Sequence, residues 1–293
     1  MNWYIKDYID YVYIEKKLSS NTKEAYYRDL IYFIKYINKE DVTKINTNDI
    51  RKYVNHLSDI KETDKTIARK LVSIRTFFDY LVMNKIISDN PCQKIESPKL
   101  KKTLPKVLNI DEVNKLLNIE PKTALEYRNK VMIELMYATG LRVSELVNLT
   151  INDINLTDNY VRCFGKGKKE RIVPIGNTMN NLLDEYINVH RNALLKGYLT
   201  DKLFLSSYGK GITRQGFFKI LKQTGKEVGI IKDFSPHTLR HSFASHMLEY
   251  GADIRSIGEL LGHENIKTTE IYTHLTNPKL KNDYKSYHPR DKF

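Results

Sequence analysis

The first 87 residues contain neither proline nor glycine, and the first proline of the chain is Pro91. These two residue types most often interrupt regular structure, so their absence over this length favours continuous helices. Apolar residues in the segment recur at spacings of three and four, which indicates amphipathic helices. We expect one small helical domain over residues 1–87, with helices near residues 3–17, 21–37, 47–57 and 63–81.

Positive charge is spread over the whole chain. The chain has 48 Lys and Arg against 35 Asp and Glu, a net charge of +13, and a division after Leu108 leaves +7 on one side and +6 on the other. A lysine-rich proteome could produce such a balance. Attraction to a polyanion explains it better, and nucleic acid is a better candidate than an anionic membrane.

Cysteine content and hydropathy exclude two other classes of protein. The two cysteines, Cys92 and Cys163, lie far apart in sequence, which argues against a disulfide framework and suits a reducing compartment. No apolar run approaches the roughly 18 residues of a membrane span. The N-terminus, MNWYIKDYID, lacks the pattern of a signal peptide. We therefore expect a cytoplasmic protein.

The fourth predicted helix carries basic residues away from its apolar stripe, at Lys65, Arg69, Lys70 and Arg75. A solvated helix face is the ordinary explanation of such a run. In a strongly basic half of the chain, we favour contacts with DNA phosphates, with the helix in or near a major groove.

Residues 88–108 predict a linker. This segment holds three of the eight prolines and has five lysines against two acidic residues. Polar sequence interrupted by prolines is typical of an extended connection between domains. We expect it to run along DNA, with Lys101 and Lys102 as its phosphate contacts.

Residues 109–293 predict a second, mostly helical domain. Asn109 and Glu112 have the spacing of a capping box, and a helix over 124–139 ends at Gly140. Residues 160–164 and 170–175 have the composition of two strands, joined by a Gly-Lys-Gly-Lys-Lys turn.

The basic tip of this predicted hairpin is a candidate for contact with DNA. Flanking glycines allow the turn to approach a DNA backbone closely, although a solvated turn would have the same sequence. Lys166 lies between two glycines and is our candidate for a defined role. Lys168, in the same tip, is a candidate DNA contact.

The residues best suited to chemistry are concentrated between Ser235 and Leu275. His237 and Arg240 are three residues apart and share one face of a predicted helix, His263 follows a helix end, and Tyr272 comes nine residues later. Two histidines, an arginine and a tyrosine in this order favour attack on a phosphodiester by the tyrosine.

Two further pairs have alternative explanations. Arg142 and Glu145 are three residues apart, a spacing that an ordinary surface ion pair also has. His241 lies four residues after His237, as two zinc ligands would. The zinc-protease motif needs Glu directly after the first His, where this chain has Thr238. We expect neither a metal site nor a cofactor.

Five segments together resemble the sequence boxes of the tyrosine site-specific recombinases: ATGLRVSEL, FGKGKKERIVPIG, SPHTLRHSFASHML, LLGHENIKTTEIYTH and the HPR near the C-terminus. The resemblance covers essentially the whole chain and is greatest to the Xer branch. It implies a mainly α fold with a small β-hairpin or sheet, arranged as a two-domain DNA clamp. A four-helix, SAM-like core-binding domain would precede a catalytic domain that ends in an interaction tail.

The resemblance also implies a role for each candidate residue. Tyr272 would attack a DNA phosphate to give a 3′-phosphotyrosyl link and a free 5′-hydroxyl. The other implied roles are non-bridging oxygen contacts for Arg142 and Arg240, general acid for Lys166, proton transfer at the tyrosine for His237, a phosphate hydrogen bond for His263, and support of Arg142 and His237 for Glu145.

The implied partners follow from the Xer branch. They are a dif-like site in double-stranded DNA, a tetramer with copies of this chain or with a second Xer recombinase, and an FtsK-type translocase. Exchange through a Holliday junction would resolve chromosome dimers. Arg214 in TRQGFFKILK is a further candidate DNA contact. An integrase or excisionase of a mobile element would have the same catalytic residues, and a catalytically silent DNA-binding module is the third alternative.

Overall fold

The computed structural model describes residues 2–16, 18, 20–98, 107–165, 170–262, 284 and 286–289. The chain divides into two compact units, residues 1–103 and 104–293, each with its own hydrophobic core. The architecture is mainly helical with one small sheet, so the predicted fold class is confirmed. Within the described ranges, no helix is long and apolar enough to cross a membrane.

Among its described residues the first unit contains four α-helices: α1 (Asn2–Ile14), α2 (Ser20–Ile37), α3 (Thr47–Asp59) and α4 (Asp64–Met83). Its core is rich in aromatic side chains, among them Tyr8, Phe33, Tyr53, Phe77 and Phe78. Large rings bury much apolar area per residue, which suits a domain this small.

Local sequence explains where two of these helices begin. Asn46 caps α3, since its side chain accepts from the amide of Asp49 while Asp49 accepts from the amide of Asn46. The sequence pattern predicts Thr47 or Asn48 as this cap, so the cap lies one or two residues earlier than predicted. Thr63 caps α4, which was predicted to begin near this residue. The apolar spacing predicts that Tyr27 lies on the buried stripe of α2, but Tyr27 is 46% exposed and Phe33 is buried.

Both ends of the predicted linker pack against a folded unit. Cys92 and Ile95 are buried in the core of the first unit, and Arg75 Nη2 donates to the Ile95 carbonyl at 2.8 Å. Leu108 lies in the core of the second unit, where its amide donates to Ser242 Oγ at 2.8 Å. Residues at both ends of the predicted linker therefore belong to the folded units. Lys101 and Lys102 lie outside the described residues.

The second unit contains eight further helices and a sheet of three strands in its described part. They are α5 (Ile110–Leu117), α6 (Ala124–Thr139), α7 (Val143–Leu146), β1 (Ile154–Asn155), β2 (Tyr160–Phe164), β3 (Glu170–Pro174), α8 (Asn177–Glu185), α9 (Arg191–Leu194), α10 (Arg214–Glu227), α11 (Pro236–Glu249) and α12 (Ile254–Leu261). A π-helical turn, Tyr186–His190, joins α8 to α9. The strands are antiparallel in the order β1-β2-β3, and Cys163 pairs with Arg171.

Helix α6 is the centre of this unit. Every residue from Val131 to Thr139 is buried, and α11 packs against it. Near the C-terminus, Tyr284 and His288 are buried in the same core, and the Tyr284 hydroxyl donates to the Ala138 carbonyl at 3.0 Å. The described part of the predicted interaction tail therefore packs on the second unit of its own chain.

Candidate active site

The turn after α6 positions Arg142. Gly140 ends the helix in the left-handed region, with φ of 60°, and its amide donates to the Met136 carbonyl at 3.0 Å. Two residues later Arg142 becomes the N-cap of α7, and its own amide donates to a Glu145 carboxylate oxygen at 2.8 Å. The Arg142 guanidinium contacts the other oxygen at 3.0 Å. The spacing of Arg142 and Glu145 is therefore that of a local cap.

Glu145 is the shared anion of the site. Its side chain is only 4% exposed, and Arg171 on β3 binds it through two parallel hydrogen bonds of 2.9 and 2.8 Å. Arg240 Nη1 lies 4.0 Å from Oε2. Burial alone would raise the pKa of this carboxyl, but the hydrogen bonds and charge of Arg171, with those of Arg142, hold its pKa below the ordinary value. Glu145 is therefore ionised at neutral pH.

Arg240 is held by two backbone carbonyls. Its Nη1 donates to the Gly140 carbonyl at 2.5 Å and its Nη2 to the Leu261 carbonyl at 2.7 Å, and the residue is buried. Burial and the nearby charge of Arg142 lower its pKa to about 10. The group stays protonated at neutral pH, because a pKa of about 10 is still well above 7.

Three arginines meet the C-terminal end of α12. The carbonyls of residues 260, 261 and 262 accept, in that order, from Arg171 Nε at 2.9 Å, Arg240 Nη2 at 2.7 Å and Arg142 Nη2 at 3.3 Å. The last carbonyls of a helix have no intrahelical partner and carry the negative end of its dipole. The carbonyls at the end of α12, together with the carboxylate of Glu145, therefore hold the three guanidinium groups close to one another.

His237 lies in the first turn of α11, on the same helix as Arg240. Ser235 caps this helix and Pro236 occupies its first position. The residue is exposed at the surface. Partial desolvation lowers its pKa below 6.5, and electrostatic interactions with His241, Arg240 and Arg142 lower it further. His237 is therefore neutral at pH 7 and able to accept a proton.

Comparison with known proteins agrees with this geometry. The model of the phage integrase family matches residues 106–278, and that of the phage integrase N-terminal SAM-like domain matches residues 5–85. The chain belongs to the phage integrase family. It is a site-specific tyrosine recombinase, an enzyme that cuts and rejoins DNA.

Curated relatives and a solved structure are similar over most of the chain. Tyrosine recombinase XerD of Oceanobacillus iheyensis is 47% identical over 99% of each chain. XerD of Listeria innocua is 46% identical over 99% of this chain and all of the relative. XerH recombinase bound to a palindromic difH substrate has the same fold, with a TM-score of 0.71 and 24% identity over 90% of this chain and 79% of that one.

The recombinase residues predicted from sequence divide into two groups. Arg142, Glu145, His237 and Arg240 are described, and the contacts above bring the two arginines to one carboxylate. Lys166, His263 and Tyr272, together with the DNA candidate Lys168, lie outside the described residues. Their predicted roles stay predictions.

The predicted DNA-contacting residues of α4 differ in their surroundings. Lys65 is exposed. Lys70 is buried, so its placement away from the apolar stripe was wrong: its Nζ pairs with Glu62 at 2.8 Å and lies 4.5 Å from the centre of the Tyr32 ring. A helix that is covered on several sides also buries residues that lie away from its main apolar stripe.

Two other predicted DNA contacts on α4 also have partners within the chain. Arg69 is exposed but pairs with the buried Asp29, and Arg75 donates to the Ile95 carbonyl. In the second unit, Arg214 is the exposed first residue of α10. Lys65 and Arg214 are therefore the described candidates most accessible to a phosphate.

Arg171 is the residue of this site that sequence reasoning missed. It lies in the KERIVP segment, which we interpreted only as a strand. An arginine on a short strand opposite the buried Cys163 was the available signal, since a charge facing a core needs a partner. Among the described residues there is no group of three or more potential metal ligands, and His241 belongs to none.

Proposed function

We propose that this recombinase is of the XerD type and resolves chromosome dimers at a dif-like site. The observation that carries the proposal is that the guanidinium groups of Arg142 and Arg240 are held around one buried carboxylate, that of Glu145. The neutral His237 lies on the same helix as Arg240. The relatives named above that are 46–47% identical over nearly the full length support the XerD assignment.

The charge of the site suits a phosphodiester transition state. Arg142, Arg171 and Arg240 surround the carboxylate of Glu145, so among the described residues of the site positive charge exceeds negative charge. A phosphodiester gains negative charge on its non-bridging oxygens when a nucleophile adds. Fixed donors that are already in position stabilise this charge without reorganisation, and one such donor is commonly worth about 10²–10³ in rate.

In the proposed reaction Tyr272 attacks the phosphorus and the 5′-oxygen leaves. A tyrosine with an ordinary pKa of about 10 is protonated at neutral pH, so its proton must be accepted, and His237 is neutral and suited to do so. Lys166 would protonate the leaving 5′-oxygen, and His263 would donate to the phosphate. The 3′-phosphotyrosyl bond conserves the energy of the phosphodiester, so rejoining needs no ATP.

Recombination requires two DNA sites, so we propose a tetramer of this chain, alone or with a second Xer recombinase, that acts through a Holliday junction. An FtsK-type translocase is the proposed activator. Lambda integrase, 18% identical and of the same fold, has been solved as a tetramer on a Holliday junction, which illustrates such an assembly.

Covalent capture in the native cell tests the proposal. Cells are lysed under denaturing conditions, the protein is recovered, and the attached DNA is sequenced, with Tyr272→Phe as the variant and Tyr198→Phe as the matched control. Tyr198 is an exposed tyrosine of the same unit. We expect adducts with wild type and with Tyr198→Phe, at one chromosomal locus far from the replication origin, and none with Tyr272→Phe.

Each other outcome removes a defined part of the proposal. Adducts in Tyr272→Phe would show that another residue is the nucleophile. Adducts confined to the ends of a mobile element would replace dimer resolution by integration or excision. If wild type yields no adduct and also leaves a nicked duplex uncut, the proposed chemistry is refuted.

A further inference from the structure

Three elements that are distant in sequence meet at Arg171. The residue lies on β3, and its guanidinium holds both oxygens of Glu145, which belongs to α7. Its Nε donates to the carbonyl of Leu260, at the end of α12. The side chain is only 12% exposed. A single side chain therefore joins the hairpin strand, the helix of Glu145 and the helix that precedes His263.

The end of α12 is built around this guanidinium. Gly262 has φ of 66°, and a Cβ at this position would lie 3.1–3.3 Å from Cδ, Nη1 and Cζ of Arg171. Such a contact is tighter than ordinary van der Waals packing, so the backbone approaches the guanidinium as closely as a glycine allows. The fit fixes the position of the chain at Gly262.

The contacts of Arg171 with Glu145 also determine which hydrogen bonds Arg142 and Arg240 make. With both oxygens held by Arg171, Glu145 keeps Arg240 Nη1 at 4.0 Å, beyond hydrogen-bond distance, and that nitrogen donates to the Gly140 carbonyl instead. Without Arg171, the buried carboxylate would keep only the amide and Nη1 of Arg142 as donors, and its uncompensated charge would attract Arg240 Nη1 and the remaining N–H groups of Arg142. Donors drawn to Glu145 are lost to a bound phosphate.

We propose that Arg171 is a positioning residue for DNA strand cleavage: it occupies Glu145 so that Arg142 and Arg240 stay directed at the scissile phosphate. The inference rests on the proposed roles of those two arginines. Lysine cannot replace it, because one ammonium group cannot supply two parallel bonds to the carboxylate and a third bond to the Leu260 carbonyl in the same plane.

The test uses single-turnover cleavage of a duplex that carries the site recovered by covalent capture, nicked beside the scissile phosphate. Arg171→Met and Arg171→Lys are compared with Arg162→Met. Arg162 lies on the neighbouring strand β2, and its ion pairs are with Asp153 and Glu170. Each variant is measured at saturating DNA, with DNA affinity and thermal midpoint determined in parallel.

A second substrate distinguishes positioning from a purely structural role. It carries a methylphosphonate at the scissile position, so the reacting group starts neutral and develops less negative charge. Displacement of an arginine therefore lowers the cleavage rate less on this substrate than on the phosphodiester. A partly unfolded protein, in contrast, cleaves both substrates slowly. We expect Arg171→Met to cleave the phosphodiester about 10- to 100-fold more slowly, as for other residues that orient a site ligand. The factor should shrink by at least about fivefold on the methylphosphonate.

The controls make the outcome decisive. Arg162→Met should cleave both substrates like wild type, and DNA affinity should be unchanged in all three variants. If Arg171→Met does not fold, Arg171→Lys carries the comparison, with a smaller defect of the same kind. Wild-type rates for the Arg171 variants, or equal losses on the two substrates, would refute the inference alone. If wild type yields no adduct and also leaves a nicked duplex uncut, both the proposed function and the inference are refuted.

Discussion

The substitution Gly140→Ala tests how tightly the backbone and side chains around the site are packed. Its φ of 60° belongs to the left-handed region, and its carbonyl accepts from Arg240. A Cβ added here would lie 2.6 Å from Phe243 Cδ1 and 2.8 Å from Leu261 Cδ2. Gly140→Ala therefore introduces both backbone strain and a steric clash with two buried side chains.

A second glycine separates these two costs. Gly197 has φ of 82°, and no atom lies within 4 Å of the position its Cβ would take. Gly197→Ala therefore carries only the backbone cost, about 1–2 kcal/mol for a left-handed residue with a Cβ. Gly140→Ala adds the cost of overpacking a core, about 1–3 kcal/mol. The sum for Gly140→Ala is about 2–5 kcal/mol of unfolding free energy.

Calorimetry and circular dichroism measure the difference. For a unit of this size, about 1 kcal/mol lowers the unfolding midpoint by roughly 2–4 °C. We expect Gly197→Ala to lower the midpoint by about 2–8 °C and Gly140→Ala to lower it by about 2–12 °C more. Cleavage should slow in Gly140→Ala only, because its carbonyl holds Arg240.

Equal midpoints for the two alanine variants would refute this reasoning. They would mean that Phe243 and Leu261 move aside at no cost, so that the contacts around Gly140 are looser than described. A Gly140→Ala protein that is less stable but cleaves at the wild-type rate would refute the link between this backbone and Arg240.

Two further predictions concern protonation and the first unit. Because the pKa of His237 is lowered, the cleavage rate should stay high as the pH falls and should decrease only below pH 6.5. This acid limb of the pH–rate profile should disappear in His237→Gln. An acid limb above pH 6.5 would contradict the role of a neutral His237. Lys70→Met removes the partly buried ion pair with Glu62 and the contact with Tyr32, and it should lower stability by about 1–2 kcal/mol. Denaturation followed by the fluorescence of the single tryptophan, Trp3, measures this change. Lys65→Met should change stability by less than about 0.5 kcal/mol and reduce the salt dependence of DNA binding by about one unit of slope; the reverse pattern would exchange the roles of the two lysines.

Local patterns in the sequence predicted much of the fold. The absence of proline and glycine, with apolar spacings of three and four, predicted the helices of the first unit, and Asn109 and Gly140 marked the start of α5 and the end of α6. These features act over a few residues, so the sequence carries them directly. The motifs predicted the family, which the comparisons confirm.

Burial within the helices was harder to predict. Lys70 and Tyr27 were assigned to the wrong environments, because a helix packed by neighbours on more than one side buries positions that a single apolar stripe does not identify. Cys92 and Ile95 were assigned to a linker for a related reason: polar, proline-containing sequence can still place a few apolar side chains into an adjacent core.

The sequence by itself determined the helical class, the order of the elements and the residue types available for phosphoryl transfer. Only the tertiary structure decided how those residues are held. Arg171 and Glu145 are 26 residues apart, and Arg171 and Leu260 are 89 apart. No local period or cap relates such positions. Their pairing follows from burial, since a carboxylate and helix-end carbonyls removed from water require donors, and the packed helices and sheet bring Arg171 to them.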